Sequence, residues 1–213
     1  METRTFSLMD RLIGEIDKAI KVLSVPVRAS RALPAGSVDA QILSEHERLE
    51  SSRLLRVNHA GEVAAQALYQ GQAFNAHSSE ISNAMRHCAA EEMDHLAWCE
   101  QRLGELKGRT SLLNPLWYAG SFAIGALAGS LGDSASLGFI TETEKQVAAH
   151  LKDHLQRLPS NDARSRAILQ QMTHDEIEHG STAASLGGKA LPWVLRLGMR
   201  LVSRVMTRSA YWL

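Results

Sequence analysis

The chain has 213 residues, of which 45% are hydrophobic and 22% are charged, a composition that excludes a disordered chain and a multi-pass membrane protein. Lysine and arginine number 23, as do aspartate and glutamate, and this zero net charge argues against a generic nucleic-acid binder. The two cysteines, Cys88 and Cys99, are too few for a disulfide framework, which favours a reducing, cytoplasmic environment.

Few prolines and many Ala, Leu, Glu, Gln and Arg residues predict an all-α protein with six to seven helices. The first helix is predicted over residues 6–24, where apolar residues recur on one face. Two helical hairpins follow, with helices over residues 40–76, 80–107, 134–158 and 161–185, and a last helix begins near Pro192. One long connection, 108–133, joins the hairpins, as in a ferritin-like four-helix bundle.

Three regions are therefore expected. Residues 1–39 form an N-terminal amphipathic helix and loop. Residues 40–190 form the bundle and include an apolar crossover, 110–132. Residues 191–213 form a basic amphipathic C-terminal helix.

Two of the predicted helices carry the motif Glu-x-x-His. One is Glu92 with His95, in the segment EEMDH, and the other is Glu176 with His179, in the segment DEIEH. A spacing of three residues places both side chains on the same face of a helix. Each motif can therefore offer a carboxylate and an imidazole to one metal ion.

Each hairpin also has a glutamate in its other helix. Glu62 lies 30 residues before Glu92, and Glu144 lies 32 residues before Glu176. Such a gap suits antiparallel helices whose marked residues face each other at one level. Glu142 competes with Glu144, but the face of Glu144 has the better apolar stripe.

The predicted metal site contains four carboxylates and two imidazoles, from Glu62, Glu92, His95, Glu144, Glu176 and His179. This inventory is that of ferritin-like di-iron and di-manganese proteins. Iron(II) accepts both oxygen and imidazole ligands, and four carboxylates balance the charge of two such ions, which limits the cost of burial.

Several residues near the predicted ligands each have two possible roles. Glu91 and Asp175 each precede a predicted histidine ligand by four residues, so they either orient the imidazoles or are ordinary surface acids. His150 is a satisfied polar residue or a group just outside the site. Tyr69 lines a pocket or packs in the core. The cysteines are expected in the core, because a thiolate is a soft ligand.

The segments RVNHAGE, EEMDH, ITETEKQVAAH and DEIEHG occur in this order in the demethoxyubiquinone hydroxylases of ubiquinone biosynthesis. The chain resembles this family over roughly residues 50–213. The resemblance implies a di-iron monooxygenase that uses O₂ and an electron donor to hydroxylate the ring of 2-polyprenyl-3-methyl-6-methoxy-1,4-benzoquinol. Partner proteins of ubiquinone biosynthesis are also implied.

The resemblance further implies a role for each predicted ligand. Glu62 and Glu144 are terminal ligands on different irons, Glu92 and Glu176 bridge the two irons, and His95 and His179 each complete one iron. His150 matches a family histidine near the site. The following residue can be tyrosine in the family but is Leu151 here, which puts a tyrosine role in electron delivery in doubt.

A polyprenyl substrate requires contact with a membrane, and two segments favour it. Residues 110–132 are uncharged but contain Pro115, and the remainder is short for a span, so the segment either dips into one leaflet or covers the bundle. After residue 179 the chain has five basic residues and no acid. Such a cationic amphipathic helix is typical of an anionic bilayer surface, or else of a partner protein. We expect a peripheral protein on the cytoplasmic face of the inner membrane.

Two other functions compete with hydroxylation. A ferritin- or rubrerythrin-like protein would oxidise iron or remove peroxide with a similar site, although two cysteines cannot supply the Cys₄ iron site of a rubrerythrin. A non-enzymatic membrane adaptor would carry these Glu and His residues incidentally.

Overall fold

The computed structural model describes residues 7–40, 42–74 and 78–213, and these are all-helical, as predicted. The helices within these ranges are α1 Leu8–Ser24, α2 Glu45–Phe74, α3 Ser79–Glu105, α4 Asn114–Ser130, α5 Asp133–Arg157, α6 Ala163–Ser185 and α7 Trp193–Trp212. Phe6 of the predicted first helix, residues 41, 75 and 76 of the helix predicted over 40–76, and residue 77 after it lie outside the described residues.

The four predicted bundle helices begin one to five residues away from their expected starts, and two of these differences have a clear local cause. The helix expected from residue 40 begins at Glu45, because Ser44 and Glu47 form a capping box in which the Glu47 carboxylate accepts a hydrogen bond from the Ser44 backbone N–H at 2.7 Å. The helix expected after Asp133 begins at Asp133 itself. Its N-cap is Gly132, whose φ of 96° favours glycine.

The helices carrying the predicted ligands pack as two pairs. Helix α2 lies against α3, α5 lies against α6, and the pairs meet mainly through α3 with α6 and α2 with α5. Leu54, Trp98, Leu151, Leu169 and Met172 form part of the core where these helices converge. All four helices therefore contribute to one interior.

Helix α4 covers α2 instead of standing apart from it. A Cβ on Gly71 would lie 2.3 Å from the carbonyl oxygen of Phe122, and one on Gly125 would lie 2.2 Å from that of Leu68. The two backbones therefore touch at glycines. The opposite face of α4 leaves Leu116 and Leu127 exposed.

Helices α1 and α7 also present apolar side chains to solvent. On α1 the exposed side chains are those of Met9, Ile13, Ile16 and Ile20. Helix α7 packs on α2 and α5 and exposes Trp193, Leu195, Leu201, Val205 and Trp212. Among the described residues, every helix is too short or too polar to cross a bilayer.

Candidate metal centre

The six predicted ligands converge in the interior between α2, α3, α5 and α6. Helix α2 supplies Glu62, α5 supplies Glu144, and the motifs of α3 and α6 supply the remaining four residues. Every one of the six side chains is buried, and none of these residues is more than 3% exposed. Burial of charged groups at this density is costly unless opposite charge is brought in.

Glu92 and Glu176 each direct one oxygen to one imidazole and the second oxygen to the other imidazole. The two oxygens of Glu92 lie 3.3 Å from His95 Nδ1 and 3.2 Å from His179 Nδ1. Those of Glu176 lie 3.4 Å and 3.6 Å from the same two nitrogens. Ligand atoms that share an ion at bonds of about 2.1 Å are separated by about 3.0–3.4 Å. Three of the four distances lie in this range, so these oxygen and nitrogen atoms are close enough to share bound metal.

The ligand atoms that point into the centre of the cluster have no hydrogen-bond partner among the described residues. They are both oxygens of Glu92, both oxygens of Glu176, and the Nδ1 atoms of His95 and His179. Ligand atoms of Glu62, Glu92, His95 and Glu176 all lie within 4.8 Å of one another. Oxygen and imidazole donors clustered in this way fit iron or a similar divalent ion, so this buried group can hold a metal.

The electrostatics of the cluster also favour bound cations. Burial, strengthened by repulsion from neighbouring carboxylates, raises the pKa of Glu62 and of Glu144 well above the usual range. Burial alone would lower the pKa of His179, but the adjacent carboxylates of Glu176 and Glu92 outweigh it and raise that pKa to about 12. The buried glutamates thus favour positive charge, either protons or cations, at the centre of the cluster.

Both imidazoles are held from behind by carboxylates. His95 Nε2 lies 2.8 Å from Asp175 Oδ2, and His179 Nε2 lies 2.9 Å from Glu91 Oε2. An N–H donated to a carboxylate fixes the tautomer and leaves Nδ1 free to bind a metal. Both acids thus lie behind an imidazole, but each contacts the histidine of the other motif and not the one four residues after it. Asp175 is buried and Glu91 is partly exposed.

Glu144, and not Glu142, faces the cluster. The Tyr69 hydroxyl donates a hydrogen bond of 2.6 Å to Glu144 Oε1. Glu142 instead accepts a hydrogen bond from Gln146 at 2.7 Å in a partly exposed position. A Cβ on Gly180 would lie 3.4 Å from that of Glu144, so α5 and α6 approach closely here. Tyr69 is therefore a core residue with a specific polar partner.

His150 does not join the metal cluster. Its ring packs against that of His154 at an interplanar angle of 59°, with centroids 3.9 Å apart, and His154 Nδ1 lies 2.8 Å from Asn58 Oδ1. Burial lowers the pKa of His150 to about 4 and that of His154 to about 2, so both are neutral near pH 7. The cysteines are buried, and the Cys99 thiol faces the Met172 sulfur at 3.8 Å.

An apolar cavity of about 530 Å³ adjoins the cluster between α2, α4, α5 and α7. Its lining includes Glu62, Leu68, Phe139, His150, Met199 and Val202. The cavity therefore connects a predicted metal ligand to the inner side of the amphipathic α7. A space lined by apolar groups with a few polar ones is typical of a small-molecule site.

Two residues beside the imidazoles were not predicted from sequence. Arg31, in the loop after α1, contacts Asp175 and Asp94 at 2.9 Å and 2.8 Å. Asp94 in turn accepts hydrogen bonds from the backbone N–H and the hydroxyl of Ser30. No local motif marks Arg31, because its partners are more than 60 residues away along the chain.

Comparisons with known proteins identify the family of the chain. The family model described as "Ubiquinone biosynthesis protein COQ7" matches residues 50–210. A 3-demethoxyubiquinol 3-hydroxylase of Nitrosospira multiformis is 52% identical over 96% of this chain and 98% of its own. A relative with the same name from Legionella pneumophila (strain Lens) is 51% identical over 99% of this chain and 100% of its own. Another, from Ralstonia pickettii, is 54% identical over 96% of this chain and 99% of its own. The chain therefore belongs to the COQ7 family of ubiquinone biosynthesis proteins.

Proposed function

We propose that this protein hydroxylates the ring of a 2-polyprenyl-3-methyl-6-methoxy-1,4-benzoquinol, a demethoxyubiquinol, with O₂ as a step of ubiquinone biosynthesis. Relatives that match nearly the whole chain are named for this reaction. The observation that carries the proposal is the pair of glutamates, Glu92 and Glu176, each spanning both imidazoles beside an apolar cavity.

The cofactor in this proposal is a pair of iron ions in a ferritin-like bundle of α2, α3, α5 and α6. Glu92 and Glu176 would bridge the ions. His95 and Glu62 would complete one position, and His179 and Glu144 would complete the other. When bound, the irons supply the redox chemistry that activates O₂. Their combined charge of about +4 would balance four buried carboxylates.

The residues around the cluster hold the ligands and exclude water. Asp175 and Glu91 keep the imidazole Nδ1 atoms directed inward, and Tyr69 holds one oxygen of Glu144. The apolar cavity would take the quinol ring beside Glu62, with the polyprenyl tail running between α4 and α7. One oxygen atom of O₂ enters the ring and the other leaves as water, so a donor must supply two electrons and two protons.

The membrane contact in this proposal is peripheral, on the cytoplasmic face of the inner membrane. Helix α7 combines exposed apolar residues with Arg200, Arg204 and Arg208, all exposed. Exposed apolar faces of α1 and α4 would add to the same surface. On this proposal, residues 1–39 and 191–213 attach the bundle region, 40–190, to the bilayer. Partners in ubiquinone biosynthesis would meet it there, and no nucleic acid is involved.

The alternative, iron oxidation or peroxide removal by a ferritin- or rubrerythrin-like protein, has less support. The relatives are named as hydroxylases, and the apolar cavity beside Glu62 suits an organic substrate.

The proposal is tested with anaerobically reconstituted protein and a short-chain demethoxyubiquinol. We expect close to two irons per chain and a hydroxylated product identified by mass spectrometry. Glu92→Ala and His179→Ala should lose both iron and product. His174→Ala, on the exposed side of α6, is the matched control and should retain both. Full activity without iron, or in the Glu92→Ala protein, would refute the proposal.

A further inference from the structure

Arg31 joins the supports of both imidazoles, although it lies outside the helices that carry the ligands. It belongs to the loop between α1 and α2, and its side chain is 31% exposed. The guanidinium places Nη2 at 2.9 Å from Asp175 Oδ2 and Nη1 at 3.4 Å from Glu91 Oε1. Its Nε donates to Asp94 at 2.8 Å. One cation thus contacts three carboxylates from α3 and α6.

Two of these carboxylates are those that hold the imidazoles. The Asp175 oxygen that contacts Arg31 is also the one that lies 2.8 Å from His95 Nε2. Glu91 turns one oxygen to Arg31 and the other to His179 Nε2. Each imidazole is therefore connected to the same guanidinium through a single carboxylate.

The loop that carries Arg31 is fixed in place. Asp94 accepts hydrogen bonds from the Ser30 backbone N–H at 2.5 Å and the Ser30 hydroxyl at 3.0 Å, and the guanidinium stacks over Trp98 at 4.8 Å from the ring centroid. Trp98 itself packs against His95, with ring centroids 5.5 Å apart. A planar group with several donors in a rigid fork suits this position, since a lysine ammonium cannot contact three acids in this way.

We propose that Arg31 is a positioning residue that couples the two metal-binding imidazoles through Asp175 and Glu91. The inference rests on the proposed metal centre and adds to it a residue from the N-terminal segment, before the 50–210 range matched by the family model. A carboxylate that accepts an N–H from a ligand imidazole raises the basicity of that ligand. By sharing both carboxylates, Arg31 sets the orientation and donor strength of both imidazoles together.

The test compares Arg31→Gln with Arg28→Gln, an exposed arginine of the same loop. Anaerobic Fe(II) titration measures affinity, and Mössbauer spectra of ⁵⁷Fe(II)-loaded protein report each iron position. For Arg31→Gln we expect Fe(II) binding weakened about 10- to 100-fold and altered quadrupole splitting at both irons. Arg28→Gln should match the wild type in both measurements.

The conservative variant Arg31→Lys separates positioning from general stability and serves if Arg31→Gln does not fold. An ammonium keeps the charge but cannot span Asp175 and Glu91, so we expect partial recovery of affinity and a changed spectrum. Wild-type affinity and spectra in Arg31→Gln, or in Arg31→Lys if only that variant folds, would overturn the inference. Absence of Fe(II) binding by the wild type would instead overturn the metal centre itself.

Discussion

At the residue scale, Glu92 and Glu176 differ from ordinary buried acids in how their oxygens are used. Each spans the two imidazoles, and among the described residues none of these four oxygens has a hydrogen-bond partner. The surrounding groups do have partners. Asp175 contacts His95, Glu91 contacts His179, and Tyr69 donates a hydrogen bond to Glu144, each on the side away from the centre of the cluster. This division, with satisfied outer atoms and unsatisfied inner atoms, is what metal ligation requires.

Tyr69→Phe is expected to weaken Fe(II) binding about 10- to 100-fold without unfolding the protein. The variant removes the hydrogen bond to Glu144, and a hydrogen bond to a charged group contributes about 1.5–3 kcal/mol. Anaerobic titration of iron measures the change. Tyr211→Phe, which removes a hydroxyl hydrogen-bonded to Glu50 far from the cluster, is the control. Equal affinities in the two variants would show that Tyr69 does not orient Glu144.

The residues of the candidate metal site could be predicted from sequence because helical spacing is local information. Glu-x-x-His places two groups on one face wherever the helix lies, and similar gaps of 30 and 32 residues in the two hairpins align the remaining glutamates. The hydrogen bond from Tyr69 to Glu144 and the contacts of Arg31 depend on how distant segments pack. Neither has a signal in the sequence around it.

At the element scale, the contact between α2 and α4 depends on glycine. The low polarity of residues 110–132 was compatible with entering a leaflet or with covering the bundle, and composition could not distinguish these. The structure places α4 against α2, with Gly125 buried and Leu127 exposed on the opposite face. Periodicity predicted the other helices, but α4 lies within the segment expected as a connection. The start at Glu45 depended on the Ser44–Glu47 capping box, which the hydrophobic pattern does not reveal.

Gly125→Ala should lower the free energy of unfolding by about 1–3 kcal/mol, because the added methyl group meets the Leu68 carbonyl and separates the helices. Gly120→Ala, on the same helix with no atom within 4 Å of the new Cβ, should be neutral or stabilising by up to about 1 kcal/mol. Denaturant unfolding of both variants measures the difference. Equal stabilities would contradict the close packing of α4 on α2.

At the scale of the whole molecule, the zero net charge is the sum of two unequal parts. Residues 180–213 carry five basic residues and no acid, while the rest of the chain carries 18 bases and 23 acids. The acidic part contains the four glutamates of the candidate metal site. The basic part contains α7, which carries four of the five basic residues and lines one side of the apolar cavity. Charge and cavity together support entry of a lipid-soluble substrate from a bilayer surface.

Replacing Arg200 and Arg204 by Gln should weaken binding to anionic phospholipid vesicles about 30-fold at low salt, since each basic residue near such a surface contributes about 1 kcal/mol. Vesicle co-sedimentation measures the partition coefficient. The matched control replaces Lys145 and Lys152, exposed on α5 away from the cavity, and should bind as the wild type does. Similar losses in both double variants would indicate general charge attraction instead of a docking face.

The most direct test of the central claim follows the oxygen atom. Reduced, iron-loaded protein is given a demethoxyubiquinol analogue and ¹⁸O₂, and the product is analysed by mass spectrometry. We predict one ¹⁸O atom in the new ring hydroxyl, and none of this product from the Glu92→Ala variant. A hydroxylated ring without the label, or consumption of ¹⁸O₂ with an unchanged ring, would contradict the assignment of this site as a quinol hydroxylase.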